Sequence, residues 1–122
     1  MAYPGIWQYV TGSLEGAEKA SEAALRELHE ETGFTPIHFW NVPFVNSFLD
    51  ASRDVIHLLP LFAAQVESGK MPQLSSEHSE FQWLFFEEAM KKLVWPGQKT
   101  GLKIIHETIV TGEKPPFLEK LI

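Results

Sequence analysis

The amino-acid sequence predicts one domain of the α/β or α+β class with a mixed sheet, and three observations support this class. Segments typical of strands and of helices interleave along the chain, without an internal repeat or a low-complexity linker. A chain of 122 residues has the size of one domain and is long enough to bury a hydrophobic core. Its hydrophobic fraction of 44% and charged fraction of 21% are typical of globular proteins. Elements that interleave in this way pack as helices against a sheet.

Four segments are predicted to be strands because they are rich in β-branched and aromatic residues. They span residues 6–10, 37–49, 55–66 and 81–85. Pro43 interrupts the second segment, which is therefore expected to form one bent strand or two short ones. The third segment is almost continuously apolar, and this predicts a central strand that is buried on both faces.

Three segments are predicted to be helices. The first runs from Ala20 to Thr32, is rich in Ala, Leu and Glu, and is followed by Gly33, the residue type that most often ends a helix. A short helix is expected at residues 87–93, and a second amphipathic helix at residues 99–110.

The first predicted helix carries three glutamates on one side. Glu27, Glu30 and Glu31 are spaced i, i+3 and i+4, so their side chains fall within about 100° on a helix of about 3.6 residues per turn. Like charges at this spacing repel one another by roughly 0.2–0.5 kcal/mol per pair. Arg26 is spaced to form i, i+4 pairs with Glu22 and Glu30. The cluster indicates a cation-binding helix, and the alternative is a solvated acidic helix without a ligand.

The composition argues against several classes of function. The formal net charge of −6 disfavours non-specific nucleic-acid binding, which relies on clustered Lys and Arg. The chain has no cysteine, which excludes disulfides, thiolate catalysis and cysteine zinc sites. The chain opens without a charged and then apolar leader, and no apolar run approaches the ~18 residues of a membrane span. We therefore expect a cytoplasmic protein whose partners include neither nucleic acid nor a membrane.

A longer pattern with fixed spacing surrounds the three glutamates. It consists of Gly12, Glu18, Arg26-Glu27-Leu28, Glu30-Glu31 and Gly33-Phe34. This pattern resembles the complete signature of the Nudix hydrolases, the Nudix box, which would span residues 12–34. The resemblance implies a Nudix-like α/β/α sandwich with a mixed sheet, formed as a single domain by residues 1–122.

The resemblance also implies a chemistry. Nudix hydrolases use water to cleave, at phosphorus, a nucleoside diphosphate that is linked to another group. Their cofactor is Mg²⁺ or Mn²⁺, and such hard cations prefer carboxylate oxygens. The implied metal ligands are Glu27, Glu30, Glu31 and the backbone carbonyl beside Gly12. Arg26 is expected to contribute to catalysis by orienting Glu27 or Glu30. Glu18 would hold the preceding loop against Arg26.

Segments outside the box resemble the branch of dATP and dihydroneopterin triphosphate pyrophosphohydrolases. They include residues 7–15 and 74–78, although diadenosine tetraphosphate hydrolases share part of the second segment. Glu77 matches a glutamate that adds a metal ligand or a catalytic base in this branch, and Glu80 is the alternative. The candidate substrate-binding residues are Trp7, His78 and Lys99. For Trp7 and His78, a purely structural role is the competing interpretation.

The sequence departs from the usual family pattern before the box. Family members usually have two further strands ahead of the tryptophan that matches Trp7. Without them, we expect the sheet to have an uncovered edge beside the apolar residues 55–66. An exposed apolar strand of this kind tends to pair with another chain. We therefore expect a homodimer in which a second copy covers this surface. The alternative is that the natural chain begins further upstream.

Two functions follow from the sequence. The first is a Mg²⁺-dependent hydrolase that cleaves a pyrophosphate bond in nucleoside triphosphates or related diphosphate-containing small molecules. The second is a degenerate Nudix-fold module that binds metal or nucleotide, or another partner, with little turnover.

Overall fold

A computed structural model of the chain describes residues 17–67, 69, 71–73, 81–110 and 118–122. In chain order, the described elements are α1 (Ala20–Thr32), β1 (His38–Asp50), β2 (Val55–Gln65), α2 (Phe86–Lys92), α3 (Pro96–Ile105), a π-helical turn (His106–Val110) and β3 (Glu119–Lys120). The described strands form an antiparallel sheet in the order β2-β1-β3. This combination of helices with an antiparallel sheet confirms the α+β class. The predicted strand at residues 6–10 lies outside the described residues.

Helix α1 has the predicted bounds, and local interactions fix both of its ends. At the start, the Lys19 backbone N–H donates to the Glu22 carboxylate at 3.1 Å, which satisfies one of the free N–H groups of the first turn. At the end, Gly33 is left-handed with φ 77°, and its N–H donates to the His29 carbonyl at 2.8 Å. The predicted pair between Glu22 and Arg26 is wrong, because Glu22 caps the helix instead.

Strands β1 and β2 form a long antiparallel hairpin. Paired residues run from His38 opposite Gln65 to Asp50 opposite Val55, with an irregular register between Val42 and Val45. The irregularity contains Pro43, which has no backbone N–H to donate to the ladder. The sequence left open one bent strand or two short ones, and the structure shows one bent strand.

Strand β2 differs from its prediction. None of its residues is buried, and β1 is its only strand neighbour within the described ranges. It carries exposed apolar side chains, since Ile56 is 67% exposed and Leu58 is 68% exposed. The prediction of a central strand buried on both faces is therefore wrong for the described sheet. The apolar sequence shows only that these side chains favour burial. Whether they are buried depends on other elements that pack on the strand, and the sequence of the strand does not reveal these elements.

The elements in the second half of the chain also differ from the predicted ones. Residues 81–85 form no strand, so the prediction of a strand there is wrong. Within this segment, the Trp83 ring lies beside the Phe34 ring, with centroids 5.9 Å apart. Helix α2 begins one residue before its predicted start. Helix α3 begins at Pro96, earlier than predicted, because proline suits the first helical turn, where its missing N–H is not needed. The π-helical turn then carries the helical segment to its predicted end at Val110.

The described core lies around β1. Helix α3 packs on β1 so closely that a Cβ at Gly97 would collide with the Asn46 amide. Helix α1 packs on β2, and β3 pairs with β1 at Trp40 and Asn41. The buried hydrophobic residues are Ala23, Phe34, Phe39, Trp40, Val42, Leu93 and Leu118. Within the described ranges, no helix combines the length and the apolar character needed to cross a membrane.

Candidate active site

The centre of the candidate site is the guanidinium of Arg26, which binds three carboxylates. Its Nε and Nη2 atoms donate to the two oxygens of Glu18 at 2.9 and 3.1 Å, the two-point geometry that arginine favours with carboxylates. Its Nη1 atom donates to Glu27 at 2.8 Å and to Glu30 at 3.0 Å. The sequence predicted the i, i+4 contact with Glu30. Arg26 thus ties Glu18, two residues before the start of α1, to two glutamates of the helix.

The carboxylates of α1 differ in their exposure. Glu31 is only 4% exposed, and the side chain of Glu27 is 16% exposed, whereas that of Glu30 is 56% exposed. Glu27 and Glu31 follow the buried Ala23 at i+4 and i+8 along the helix, so an acidic row occupies a protected side of α1. Burying carboxylates is costly unless partners or a cation compensate the charge. The hydrogen bond from Arg26 compensates part of the charge of Glu27, and a divalent cation bound by this row would compensate more of it.

The donor set of α1 suits a hard divalent cation. Glu27 and Glu30 each bind Arg26 through one oxygen, and neither second oxygen has a hydrogen-bond partner in the described part of the chain. Mg²⁺ and Mn²⁺ prefer such carboxylate oxygens and commonly retain several waters. Among the described residues, however, no three acidic or histidine side chains converge closely enough to hold a metal. A complete shell would therefore need ligands from elsewhere, as the resemblance implies for Gly12 and Glu77.

The structure brings together part of the predicted site. Arg26, Glu27, Glu30 and Glu31 lie within two turns of α1. Four other predicted site residues lie outside the described residues, as does the alternative Glu80. These four are Trp7, Gly12, Glu77 and His78.

Lys99 belongs to a different part of the fold from these glutamates. It lies in α3, which packs on β1 and α2, whereas α1 packs on β2. Its backbone N–H donates to the Trp95 carbonyl at 3.1 Å, and no ion pair joins its side chain to the described carboxylates. A role of Lys99 in substrate binding stays a prediction.

Two contacts that the sequence did not predict fix the C-terminal end of α1. The Gln73 backbone N–H donates to the Thr32 carbonyl at 2.7 Å and satisfies an acceptor at the helix end. The Trp83 ring lies beside Phe34, the last residue of the box pattern. No sequence signal marks Gln73, because this contact uses its backbone. The only sequence signal at Trp83 is its aromatic side chain, which does not indicate a contact with a particular residue.

Together, the fold and the site define an α+β domain with an acidic helix organised by one arginine. The family model described as NUDIX domain matches residues 2–104, so the chain belongs to the Nudix hydrolase family. This finding confirms the resemblance at the level of the family.

Individual relatives share parts of the chain. An octanoyltransferase of Myxococcus xanthus is 32% identical over 106 residues, which cover 81% of this chain and 28% of that relative. The nucleoside triphosphatase NudI of Escherichia coli is 25% identical over 89 residues, which cover 67% of this chain and 63% of that relative. The chain therefore spans less than two thirds of the length of both relatives.

A solved structure supports the fold. It is a crystal structure from Listeria monocytogenes of a protein provisionally classed as a NUDIX hydrolase. It superposes with a TM-score of 0.68 at 28% sequence identity, covering 84% of this chain and 74% of that chain. This similarity confirms the expected Nudix fold.

Proposed function

We propose that the chain is a Mg²⁺- or Mn²⁺-dependent hydrolase that cleaves a pyrophosphate bond in nucleoside triphosphates or related diphosphate-containing compounds. The observation that carries this proposal is the set of α1 carboxylates organised by Arg26, with Glu27 and Glu31 on a protected side of the helix. Membership of the Nudix family supports the same reaction class.

The described residues have distinct proposed roles. Glu27 and Glu31 would be the principal metal ligands, and Glu30 would complete the shell directly or through water. The bound cation would neutralise phosphate charge and lower the pKa of the attacking water. Arg26 would fix the Glu27 carboxylate through the 2.8 Å hydrogen bond, so that its second oxygen is held in place for the metal.

Residues outside the described ranges complete the proposal. The carbonyl beside Gly12 would add a ligand, and Glu77 would add a ligand or a base. Trp7 and His78, together with Lys99 on α3, would contact the substrate. These assignments rest on the family resemblance.

A nucleoside or pteridine triphosphate is the proposed substrate class. The similarity to the nucleoside triphosphatase NudI supports triphosphates, and the segments outside the box support the dATP and dihydroneopterin triphosphate branch. We place the activity in the cytoplasm, where such triphosphates occur.

A substrate panel tests this proposal. Nucleoside triphosphates and dihydroneopterin triphosphate are incubated with Mg²⁺ or Mn²⁺, and the released phosphate and pyrophosphate are measured. We expect metal-dependent turnover, and a loss of at least about tenfold in Glu31→Gln, because changes around a metal site typically cost 10–100-fold. The control is Glu107→Gln, which removes an exposed carboxylate from the π-helical turn and should leave the rate unchanged.

Two results would contradict the proposal. Equal activity of Glu31→Gln and the unmodified chain would exclude the acidic helix as the source of turnover. Binding of metal or nucleotide without any turnover would favour the alternative function, a Nudix-fold binding module.

A further inference from the structure

One face of the β1–β2 hairpin is bare near the turn. Residues directly opposite each other in an antiparallel pair project to the same face of the sheet. Three such pairs form this bare face, and all six residues are exposed. They are Val45 with Pro60, Ser47 with Leu58, and Leu49 with Ile56. Its four large aliphatic side chains are 52–68% exposed.

The opposite face of the same hairpin segment is different. There Asn46 lies against Gly97 of α3, and the Phe48 and His57 rings stack with centroids 4.7 Å apart. Asp50 lies on this face as well, 3.8 Å from His57. The bare face, by contrast, contains no charged residue. The opposite face also carries the exposed apolar side chains Phe48, Val55 and Leu59, at 41–50% exposure, so the bare face differs from it in its higher exposure and its lack of charge.

A further strand is a poor occupant for this part of the hairpin. Pro60 lies in the middle of β2 and has no backbone N–H, so it interrupts any ladder that a new strand would form along the outer edge. Packing of one sheet face on another has no such requirement, since side chains rather than backbone groups make the contact.

We propose that the bare face packs against the bare face of a second copy of this chain, in a two-fold symmetric dimer. Such an interface pairs one patch with itself, so an uncharged patch avoids the like-charge contacts that a chain of net charge −6 would make elsewhere. The same acidic charge disfavours an anionic membrane as the occupant. This inference does not depend on the proposed hydrolysis.

The area of the bare face sets the strength of the dimer. A fully exposed aliphatic side chain offers on the order of 100 Å² of apolar surface. At the observed exposures, the four aliphatic side chains of the bare face contribute roughly 250 Å² per copy, or roughly 500 Å² in total. Stable interfaces bury about 1,200–2,000 Å². The dimer is therefore weak and reversible, with a dissociation constant of roughly 10–500 μM.

Sedimentation analysis from about 5 to about 500 μM tests the dimer across this range. The weight-average mass should rise from monomer towards dimer with concentration, and sulfate should strengthen the association because it favours apolar burial. Leu58→Lys should weaken association at least about tenfold, because it places a charge in the apolar contact. Val110→Lys is the matched control, since Val110 is 65% exposed on the π-helical turn, and it should associate like the unmodified chain.

Three results would overturn the proposal. They are a monomer at every concentration, equal association of Leu58→Lys and the unmodified chain, and association that sodium chloride weakens. Circular dichroism checks that both variants are folded. NMR at increasing concentration separates face packing from edge pairing. The methyl signals of Leu49, Ile56 and Leu58 should shift, whereas shifts confined to the outward amides of β2 would contradict face packing.

Discussion

Replacing Arg26 with alanine is the most informative change within the described site. The substitution removes four hydrogen bonds that the guanidinium makes to Glu18, Glu27 and Glu30. It leaves all three carboxylates in place without the cation that joins them. We therefore expect the fold to lose stability even before a metal or substrate is considered.

The exposure of the partners sets the size of this loss. Breaking a fully buried ion pair costs about 3–5 kcal/mol, and exposed pairs contribute at most about 1 kcal/mol. The side chains of Arg26, Glu18 and Glu27 are 20%, 21% and 16% exposed, so this group lies between the two limits. We expect Arg26→Ala to lower the free energy of unfolding by about 2–3 kcal/mol. Arg26→Lys should lose about half as much, because lysine keeps the charge but not the two-point geometry.

Urea unfolding at pH 7, followed by tryptophan fluorescence, measures this difference. Arg53→Ala is the control, because the Arg53 side chain is 76% exposed and lies 3.6 Å from Asp50. It should change the free energy of unfolding by less than about 0.5 kcal/mol.

Two outcomes would refute this reasoning. Equal free energies of unfolding for Arg26→Ala and Arg53→Ala would show that the Arg26 contacts do not stabilise the fold. Equal losses in Arg26→Ala and Arg26→Lys would show that the positive charge retained by lysine does not stabilise the cluster.

Three further predictions concern the rest of the fold. Gly33→Ala should lower the free energy of unfolding by about 1–2 kcal/mol, because φ is 77° there; an unchanged urea midpoint would contradict this. Ser52→Ala should raise the pKa of Asp50, which the Ser52 hydroxyl chiefly holds below its ordinary value. Carboxyl NMR titration measures this shift. Because the Asp50 pKa is lower in the folded state, the contribution of Asp50 to stability is present above about pH 3.9 and is lost as the pH falls through the folded-state pKa. Trp40→Phe should lower the free energy of unfolding, measured in urea, by less than about 1 kcal/mol. The buried Trp40 Nε1 has no partner among the described residues, so removing it offsets part of the lost packing. A loss above about 2 kcal/mol would indicate a hydrogen bond at Nε1.

The sequence predicted α1 well because its determinants are local. The glycine at the helix end and the helix-forming composition lie within the segment itself, so its bounds needed no knowledge of other elements. The contact between Arg26 and Glu30 follows from helical spacing alone. The contact between Arg26 and Glu18 was expected only from the family resemblance, since a loop residue has no fixed spacing to a helix.

The predictions that failed depended on elements elsewhere in the chain. Strand β2 was expected to be buried, but burial requires covering layers, and its apolar composition does not report whether these are present. Residues 81–85 have a composition typical of strands, but in the structure they form no strand. Similarly, Gln73 supports the end of α1 through its backbone, which no side-chain pattern reveals.

The most direct test of the account is whether the α1 glutamates bind a divalent cation. Mn²⁺ can be titrated into ¹⁵N-labelled protein, where it broadens the NMR signals of nearby amides. We expect early broadening for residues 27–31 and little for the hairpin turn at residues 50–54, where Asp50 and Asp54 are also acidic. Glu31→Gln should weaken this broadening. Absence of broadening in α1, or equal broadening at the hairpin turn, would contradict the assignment of α1 as the metal-binding helix.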